Sequence, residues 1–381
     1  ITLDSQDESL TGFVQQSRLK RYHSGLISKT LAPTIKEFGG VADVPNARVP
    51  LPARMDLESL FKFGKELDYY SQHDRLVIEI PEKVFFSPFA MLFLSLKIRR
   101  FRIQCPDLVI IFDGWERHSY LSHMGFFDMC GFNHGRQVGE AWGSHNYLPI
   151  TETHRSSFFE TEIDEYEEFQ DLVQRRAEKL ATILSRNQTE NRNLYDILSY
   201  CLREIIRNVF EHGETESVYY AAQYWPDSNK VEVAIADYGV GVRKGLGGNP
   251  NFRFSTDKEA LEYALLPGVS GKTHLPRMSA NWFNSGYGLY MTNRLARNGG
   301  NFVIVSGENA IHFSRRTKHN YVTSFPGTAI RLNLDVSEIG AVQARLDEFR
   351  QDGSRLAATI KGSGNRPPSA MSLLLRRDYQ R

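Results

Sequence analysis

Apolar residues recur along the chain with two periods, and the switches between them mark out the elements. In "DLESLFKFGKELDYY" (56–70) they return every three or four residues, which predicts a helix capped by Asp56. "RLVIEIP" (75–81) and "DLVIIFD" (107–113) are short, unbroken apolar runs and predict buried strands. Between them "SPFAMLFLSLKIRRFRI" predicts a helix that starts at a capping Ser87, with Pro88 in its first turn. A second helix is expected over "ERHSYLSHMGFFDMCGF" (116–132). Strand–helix–strand–helix of this length implies a small α/β layer.

In the second half, "DEYEEFQDLVQRRAEKLATILS" (164–185) predicts a long helix, acidic at its start and basic later, as the helix dipole favours. It is suited to joining two halves or to mediating dimerisation. "CLREIIRNVFEHG" (201–213) predicts a helix with Leu202, Ile205, Ile206 and Val209 on one side. Glu204, Asn208 and His212 follow at four-residue spacing, which drifts only ~40° per step, so they form one polar stripe. A solvent-facing surface is the ordinary reason for such a stripe. Strands are expected over "SVYYAAQYW" and "KVEVAIAD", joined by the turn "PDSN". A long glycine-rich connection then runs from Asp237 to Gly288, and a connection of that length is either functional or disordered. Thr256 and Glu259 form a capping box inside it, and Pro267-Gly268 stops the short helix they begin. "GLYMTNRLARNGG" predicts another helix, followed by strands at "NFVIVSG", 310–313 and "GTAIRLNLD". A helical segment after 336 leads to the linker "KGSGNRPPS" and a basic tail.

Composition narrows the class. The 381 residues suffice for two or three domains, and 41% hydrophobic with 24% charged residues fits a soluble globular protein. With 46 basic and 45 acidic residues the net charge is +1, so nucleic acid is not indicated as a partner. The apolar run "FFSPFAMLFLSL" is too short to span a bilayer and carries a proline, and no basic leader precedes an apolar segment. Cys105, Cys130 and Cys201 lack metal-ligand spacing and read as reduced thiols. The expectation is a cytoplasmic protein with no membrane association.

Three further patterns carry candidate chemistry. In "ADYGVGV", Asp237 ends a strand on the same face as Val231, Val233 and Ile235, and Gly239 and Gly241 follow. A carboxylate buried there needs a donor such as the amino group of a purine, and the glycines let backbone approach a flat ligand. The same glycines also serve an ordinary turn at positive φ. In "SGYGLYMTNRL", Gly286 and Gly288 lead into a helix whose first N–H groups and dipole would attract phosphate. "GTAIRL" places Thr328 at the start of a strand. "SGKT" (270–273) is not a P-loop, because the preceding glycine and strand are missing; Lys272 remains a candidate phosphate contact from the connection. His118 and His123 lack a carboxylate partner at ligand spacing, and "HFSRRTKHN" (312–320) reads as a solvated hairpin.

In this order and spacing the four segments resemble the nucleotide-binding boxes of the GHKL ATPase superfamily, across about residues 165–335. "EIIRNVFEH" is similar to its first box, "DYGVG" to the second, Gly286-Tyr287-Gly288-Leu289 to the third and "GT" to the final threonine. The resemblance implies a C-terminal GHKL (Bergerat) α/β sandwich with a mixed sheet that binds ATP and Mg²⁺. Asn208 would ligate Mg²⁺, and Glu204 would act as general base. Asp237, supported by Thr328, would accept from the adenine amino group. Gly286 and Gly288 would receive the phosphates, and 242–285 would be the lid over the nucleotide. His212 sits at the end of the first box. The segment 75–113 resembles a STAS-like α/β domain, although the family's Asp-Ser-x-Gly turn is absent and Ser87 reads as a helix cap.

The expected organisation is an irregular arm at 1–50, a STAS-like domain at 51–150 and a linker with its long helix at 151–190. A GHKL domain at 191–335 and a C-terminal helix and tail at 336–381 follow. The implied activity is slow ATP hydrolysis coupled to lid closure, with dimerisation or a protein partner as the output. Alternatives are an anti-sigma-like serine/threonine kinase and a non-catalytic ATP-sensing scaffold. A histidine kinase is disfavoured, because the helix at 164–185 contains no histidine.

Overall fold

The computed structural model describes residues 46–140, 146–158, 166–186, 191–274, 285–339 and 342–363. The protein is α/β, with a parallel pairing in a smaller sheet and a larger antiparallel sheet. Residues from Ala47 onward form a single compact unit.

The smaller sheet has three strands in the order β1 (Asn46–Pro50), β2 (Arg75–Glu79), β3 (Val109–Asp113). Strands β2 and β3 pair in parallel, Leu76 opposite Ile110 and Ile78 opposite Phe112. Helix α1 (Leu57–Glu66) starts at Asp56, whose carboxylate accepts from the Ser59 N–H. Helix α2 (Pro88–Gln104) crosses from β2 to β3 and starts at Ser87, whose hydroxyl accepts from the Ala90 N–H. The helix expected over 116–132 is broken: a 3-10 turn at Trp115–Arg117 leads to α3 (Ser119–His123) and α4 (Phe126–Cys130), with Gly125 at φ +84° between them. That left-handed residue ends one helix and begins the next.

The larger sheet has the order β4–β5–β6–β8–β7, formed by β4 (Tyr147–His154), β5 (Ser217–Trp225), β6 (Lys230–Asp237), β7 (Gly300–Phe313) and β8 (Lys318–Asp335). All its described pairings are antiparallel, where a mixed sheet was expected. Residues 151–154, placed by sequence in a linker, belong to the edge strand β4. The basic run at 312–320 closes the long β7–β8 hairpin, with its turn at 314–317, and Lys318 at the start of β8 pairs with Glu262 at 2.5 Å.

Alternation along β6 divides two cores. Val231, Val233 and Ile235 face α5 (Tyr166–Ser185), α6 (Arg192–His212) and α9 (Gly288–Asn298). Ala234 and Ala236, with Ala221 of β5 and Ala329 of β8, face α2. Alanines on that face let α2 lie close to the sheet, and Pro88 through Ile98 are all buried. Phe93 stacks on Phe325 with ring centroids 5.0 Å apart. The N-terminal layer and the sheet that carries the candidate site thus share one hydrophobic core.

Polar contacts fasten the two together. Glu232 of β6 is buried, and its Oε1 accepts from the Phe89 N–H at the start of α2, 2.9 Å away. Its Oε2 accepts from Asn333 at 3.0 Å and pairs with Arg331 at 3.1 Å. A carboxylate from the sheet therefore faces the positive end of α2. The Tyr238 hydroxyl, next to Asp237, donates to the Leu96 carbonyl of α2 at 2.6 Å.

The connection after Asp237 is ordered in its described part. It holds α7 (Gly241–Gly247) and α8 (Asp257–Ala264), the latter started by the expected Thr256–Glu259 capping box. Helix α10 (Val342–Ala357) packs against α9 through Phe349 and the Arg294–Asp352 pair. Among the described residues no helix is long and apolar enough to cross a membrane.

Candidate functional site

A cleft opens between α6, the C-terminal end of β6, α7, the loop at 269–271 and the first turn of α9. It encloses ≈ 840 Å³, counting its open mouth. Its walls are apolar: Ile205, Val209, Ile235, Leu246, Ile304 and Ile330. Such a slot with few polar groups suits a flat, partly apolar ligand.

Eight of the sequence-predicted site residues meet there: Asn208, His212, Asp237, Gly241, Gly286, Gly288, Leu289 and Thr328. They come from four separated segments, and the fold supplies the reason. Strand β6 runs beside β8, so Asp237 lies directly opposite Thr328. Helix α6 covers that face of the sheet, and its stripe places Asn208 and His212 over the strand end.

Asp237 lies at the floor and is 3% exposed. Its Oδ1 accepts from the Gly239 N–H at 2.7 Å. Burial pushes its carboxyl up from 3.8 to about 7, against the pull of backbone N–H groups of Gly239 and Thr328. A polar ligand that donates to this carboxylate would favour its charged form.

The glycines are demanded by close approach. A Cβ on Gly239 would overlap the Gly213 carbonyl, which already accepts from the Val240 N–H at 2.8 Å. Gly241, at φ +76°, is held beside Ser306, whose hydroxyl accepts from the Val242 N–H at 2.9 Å. Gly286 has φ +72°, and a Cβ there would lie 2.6 Å from the Val269 nitrogen. Gly288 opens α9, and the helix has no side-chain cap at Tyr287. An uncapped helix start in a cleft wall suits an anion.

Four predicted residues do not line the cleft. Gly239 lies beneath it in the Asp237 turn. Tyr287 is buried against Tyr290 and Gly353 and supports the loop from behind. Lys272 is exposed at the edge, where its Nζ donates to the Glu211 carbonyl at 2.8 Å. Glu204 is 0% exposed, and both its carboxylate oxygens pair with arginines.

His212 is half-buried at the end of α6. Burial pushes its imidazole down to about 4; Glu211 opposes this, while Lys272 and Arg207 act with it. It is neutral near pH 7. Burial pushes the Glu211 carboxyl up, but Arg207, His212, Gln170 and Lys272 bring it below the usual carboxylate range.

The residues fit the implied ligand. Asp237 would give a buried acceptor for an amino-substituted base, and the α9 start, which has no side-chain cap, would give N–H groups for phosphate. Asn208 lines the cleft, and its amide oxygen would offer a cation one protein donor, which suits an ion held otherwise by phosphate and water. Among the described residues no three His, Cys, Asp or Glu side chains cluster to hold a metal by themselves.

Sequence reasoning missed Arg203, Arg207 and Ser306. The arginines sit at i and i+4 on the helix, and Glu211 follows Arg207 at the same spacing. That pattern was a readable signal for an ion-paired row. Ser306 had none, because its role depends on a loop distant in sequence. Comparison of the chain with protein-family models, curated proteins and solved structures finds no match.

Proposed function

We propose that the chain binds ATP with Mg²⁺ in this cleft and hydrolyses it slowly, as a member of the GHKL superfamily. One observation carries the reading: Asn208, Asp237, the Gly286–Gly288 turn and Thr328 are remote in sequence yet line a single apolar slot. Asp237 accepts from the adenine amino group, with Thr328 beside it. The first N–H groups of α9 take phosphate oxygens. Asn208 would hold Mg²⁺ through its amide oxygen, and the ion would supply charge neutralisation at the phosphates. Glu204, which lies behind Gly288 of the cleft wall, would take a proton from a water admitted beside that helix start, and the oxygen of that water would attack the γ-phosphorus. The bond to the β,γ-bridging oxygen breaks, and ADP and phosphate leave.

On this reading the connection at 242–285 acts as the lid, and its closure governs a protein partner or homodimer; its residues 275–284 lie outside the described residues. The chain acts in the cytoplasm on this reading. The N-terminal layer, STAS-like in its strand–helix–strand unit, transmits the nucleotide state through the core it shares with the sheet.

The enclosure of Glu204 by two arginines favours a second reading, an ATP-sensing scaffold that turns over negligibly. Incubation with [γ-³²P]ATP and Mg²⁺ distinguishes them, with wild type beside Glu204→Ala and Asn208→Ala. Free phosphate lost in both variants supports the ATPase. Label on the chain or an added protein points instead to serine/threonine kinase activity. Nucleotide bound without turnover leaves the scaffold. No binding in calorimetry would falsify the ATP reading altogether.

A further inference from the structure

Helices α5 and α6 enclose a buried polar row. Arg203 is 1% exposed; its Nε and one terminal nitrogen hold Glu204 Oε1 at 3.2 and 3.1 Å. Its other terminal nitrogen donates to Gln174 Oε1 at 3.1 Å, and Gln174 in turn donates to Glu178 at 2.8 Å. Arg207 is 4% exposed and pairs with Glu204 Oε2 at 3.3 Å. Its Nε faces Glu211 Oε1 at 3.3 Å, and that oxygen also accepts from Gln170 at 2.9 Å. Arg203 thus hydrogen-bonds both Glu204 and Gln174, whereas Arg207 stands between Glu204 and Glu211 at ion-pair distance and Glu204 Oε2 accepts no hydrogen bond among the described residues.

The opposite side of Glu204 is equally confined. Oε2 rests on Gly288, where any Cβ would overlap it. Gly288 is both the first residue of α9 and part of the cleft wall. The carboxylate thus sits against the helix start that faces the ligand, fixed from behind by two cations.

Stability alone is a poor reason for this arrangement. Well-packed apolar residues replace buried ion networks with little loss or with a gain. What a network provides instead is a fixed position for each group, because a planar guanidinium holds a carboxylate in one orientation.

We propose that Arg207 is a positioning residue for Glu204: it holds Oε2 at the Gly288 start of α9 in the orientation that the hydrolytic step requires. The inference rests on Glu204 acting as the base in the ATPase reading. Arg203 fixes Oε1 by two hydrogen bonds, and the charge of Arg207 draws Oε2, the oxygen that rests on Gly288, from 3.3 Å. Glu211 and Gln170 hold Arg207 in turn.

The test uses the full chain and compares wild type with Arg207→Met, Arg207→Lys, Glu204→Gln and the Arg207→Met/Glu204→Gln pair. ATP affinity is measured by calorimetry and kcat by release of ³²P-phosphate, with thermal melts alongside. The expected result is a fall in kcat of about ten- to a hundredfold in Arg207→Met, with Kd unchanged. Arg207→Lys keeps the charge and fold without the fork and should recover part of the rate. In the Glu204→Gln background the Arg207→Met change should lower kcat no further.

An unchanged kcat in a folded Arg207 variant would overturn the proposal, as would an equal loss in the Glu204→Gln background. Should Arg207→Met fail to fold, Arg207→Lys decides: a wild-type kcat there overturns the proposal. ATP binding without wild-type turnover overturns it while leaving the nucleotide site standing. Absence of ATP binding overturns both and is told apart by the calorimetry.

Discussion

Replacing Asp237 by Asn should stabilise the ligand-free protein and cripple its site. Asn keeps the side-chain oxygen that accepts the Gly239 N–H at 2.7 Å and adds almost no volume. What it removes is the charge. Raising a carboxyl from 3.8 to about 7 means that burying its ionised form costs on the order of 4 kcal/mol. The native state binds this proton more tightly than the unfolded chain, so the group's stabilisation is complete below about pH 4 and is lost as pH rises through about 7. Asp237→Asn escapes that loss. Its advantage over wild type should be small near pH 4, grow between pH 4 and 7, and level off above.

At pH 8 the gain should approach 4 kcal/mol, or roughly 5–10 °C in Tm for a chain of this size. A hydrogen bond to a charged acceptor is worth about 1.5–3 kcal/mol, so adenine-nucleotide affinity should fall about ten- to a hundredfold. Denaturant melts of both proteins from pH 4 to 9, with calorimetric titration at pH 8, give the two readouts. Equal stability of the two proteins at every pH would refute the reasoning, because Asp237 would then carry no buried-charge penalty. Unchanged nucleotide affinity would remove Asp237 from the binding site.

Removing Glu232, which holds the start of α2 and pairs with Arg331, should cost about 3–5 kcal/mol in Glu232→Ala, read from a denaturant melt. A cost below ~1 kcal/mol would mean that the apolar core alone docks α2. Gly286→Ala adds a Cβ 2.6 Å from a backbone nitrogen at φ +72°, where neither chain can yield cheaply. A loss of about 2–4 kcal/mol is expected, with weaker nucleotide binding; a wild-type melt would show that the turn re-forms. His212 is more easily protonated in the unfolded chain than at its native value of about 4. Its stabilisation is present above about pH 6.5 and is lost as pH falls towards 4, so His212→Gln should flatten that part of the stability curve. An unaltered slope would place the acid sensitivity elsewhere.

Much of this protein could be read from local pattern. The periods of apolar residues gave α2, α6 and the strands β2, β3, β5 and β6, because each element buries one face or a continuous run. Ser87, Asp56 and the Thr256–Glu259 box act within four residues of themselves, so capping needed no tertiary knowledge. Parity along β6 placed Asp237 with Val231, Val233 and Ile235, since alternation is a property of the strand alone. The stripe on α6 placed Asn208 and His212 together for the same kind of reason.

Tertiary structure decided what those faces meet. Strand β4 escaped notice because an edge strand gains its hydrogen bonds from β5, not from its own apolar pattern. The alanines of β5, β6 and β8 read as unremarkable strand residues until α2 lay against them. Glu204 shares a helical stripe with Asn208, yet Asn208 reaches the cleft and Glu204 ends beneath Gly288 between two arginines. Spacing fixes the direction in which a side chain leaves its helix; the neighbours that helix acquires on folding decide whether it finds solvent, a ligand or a counter-charge.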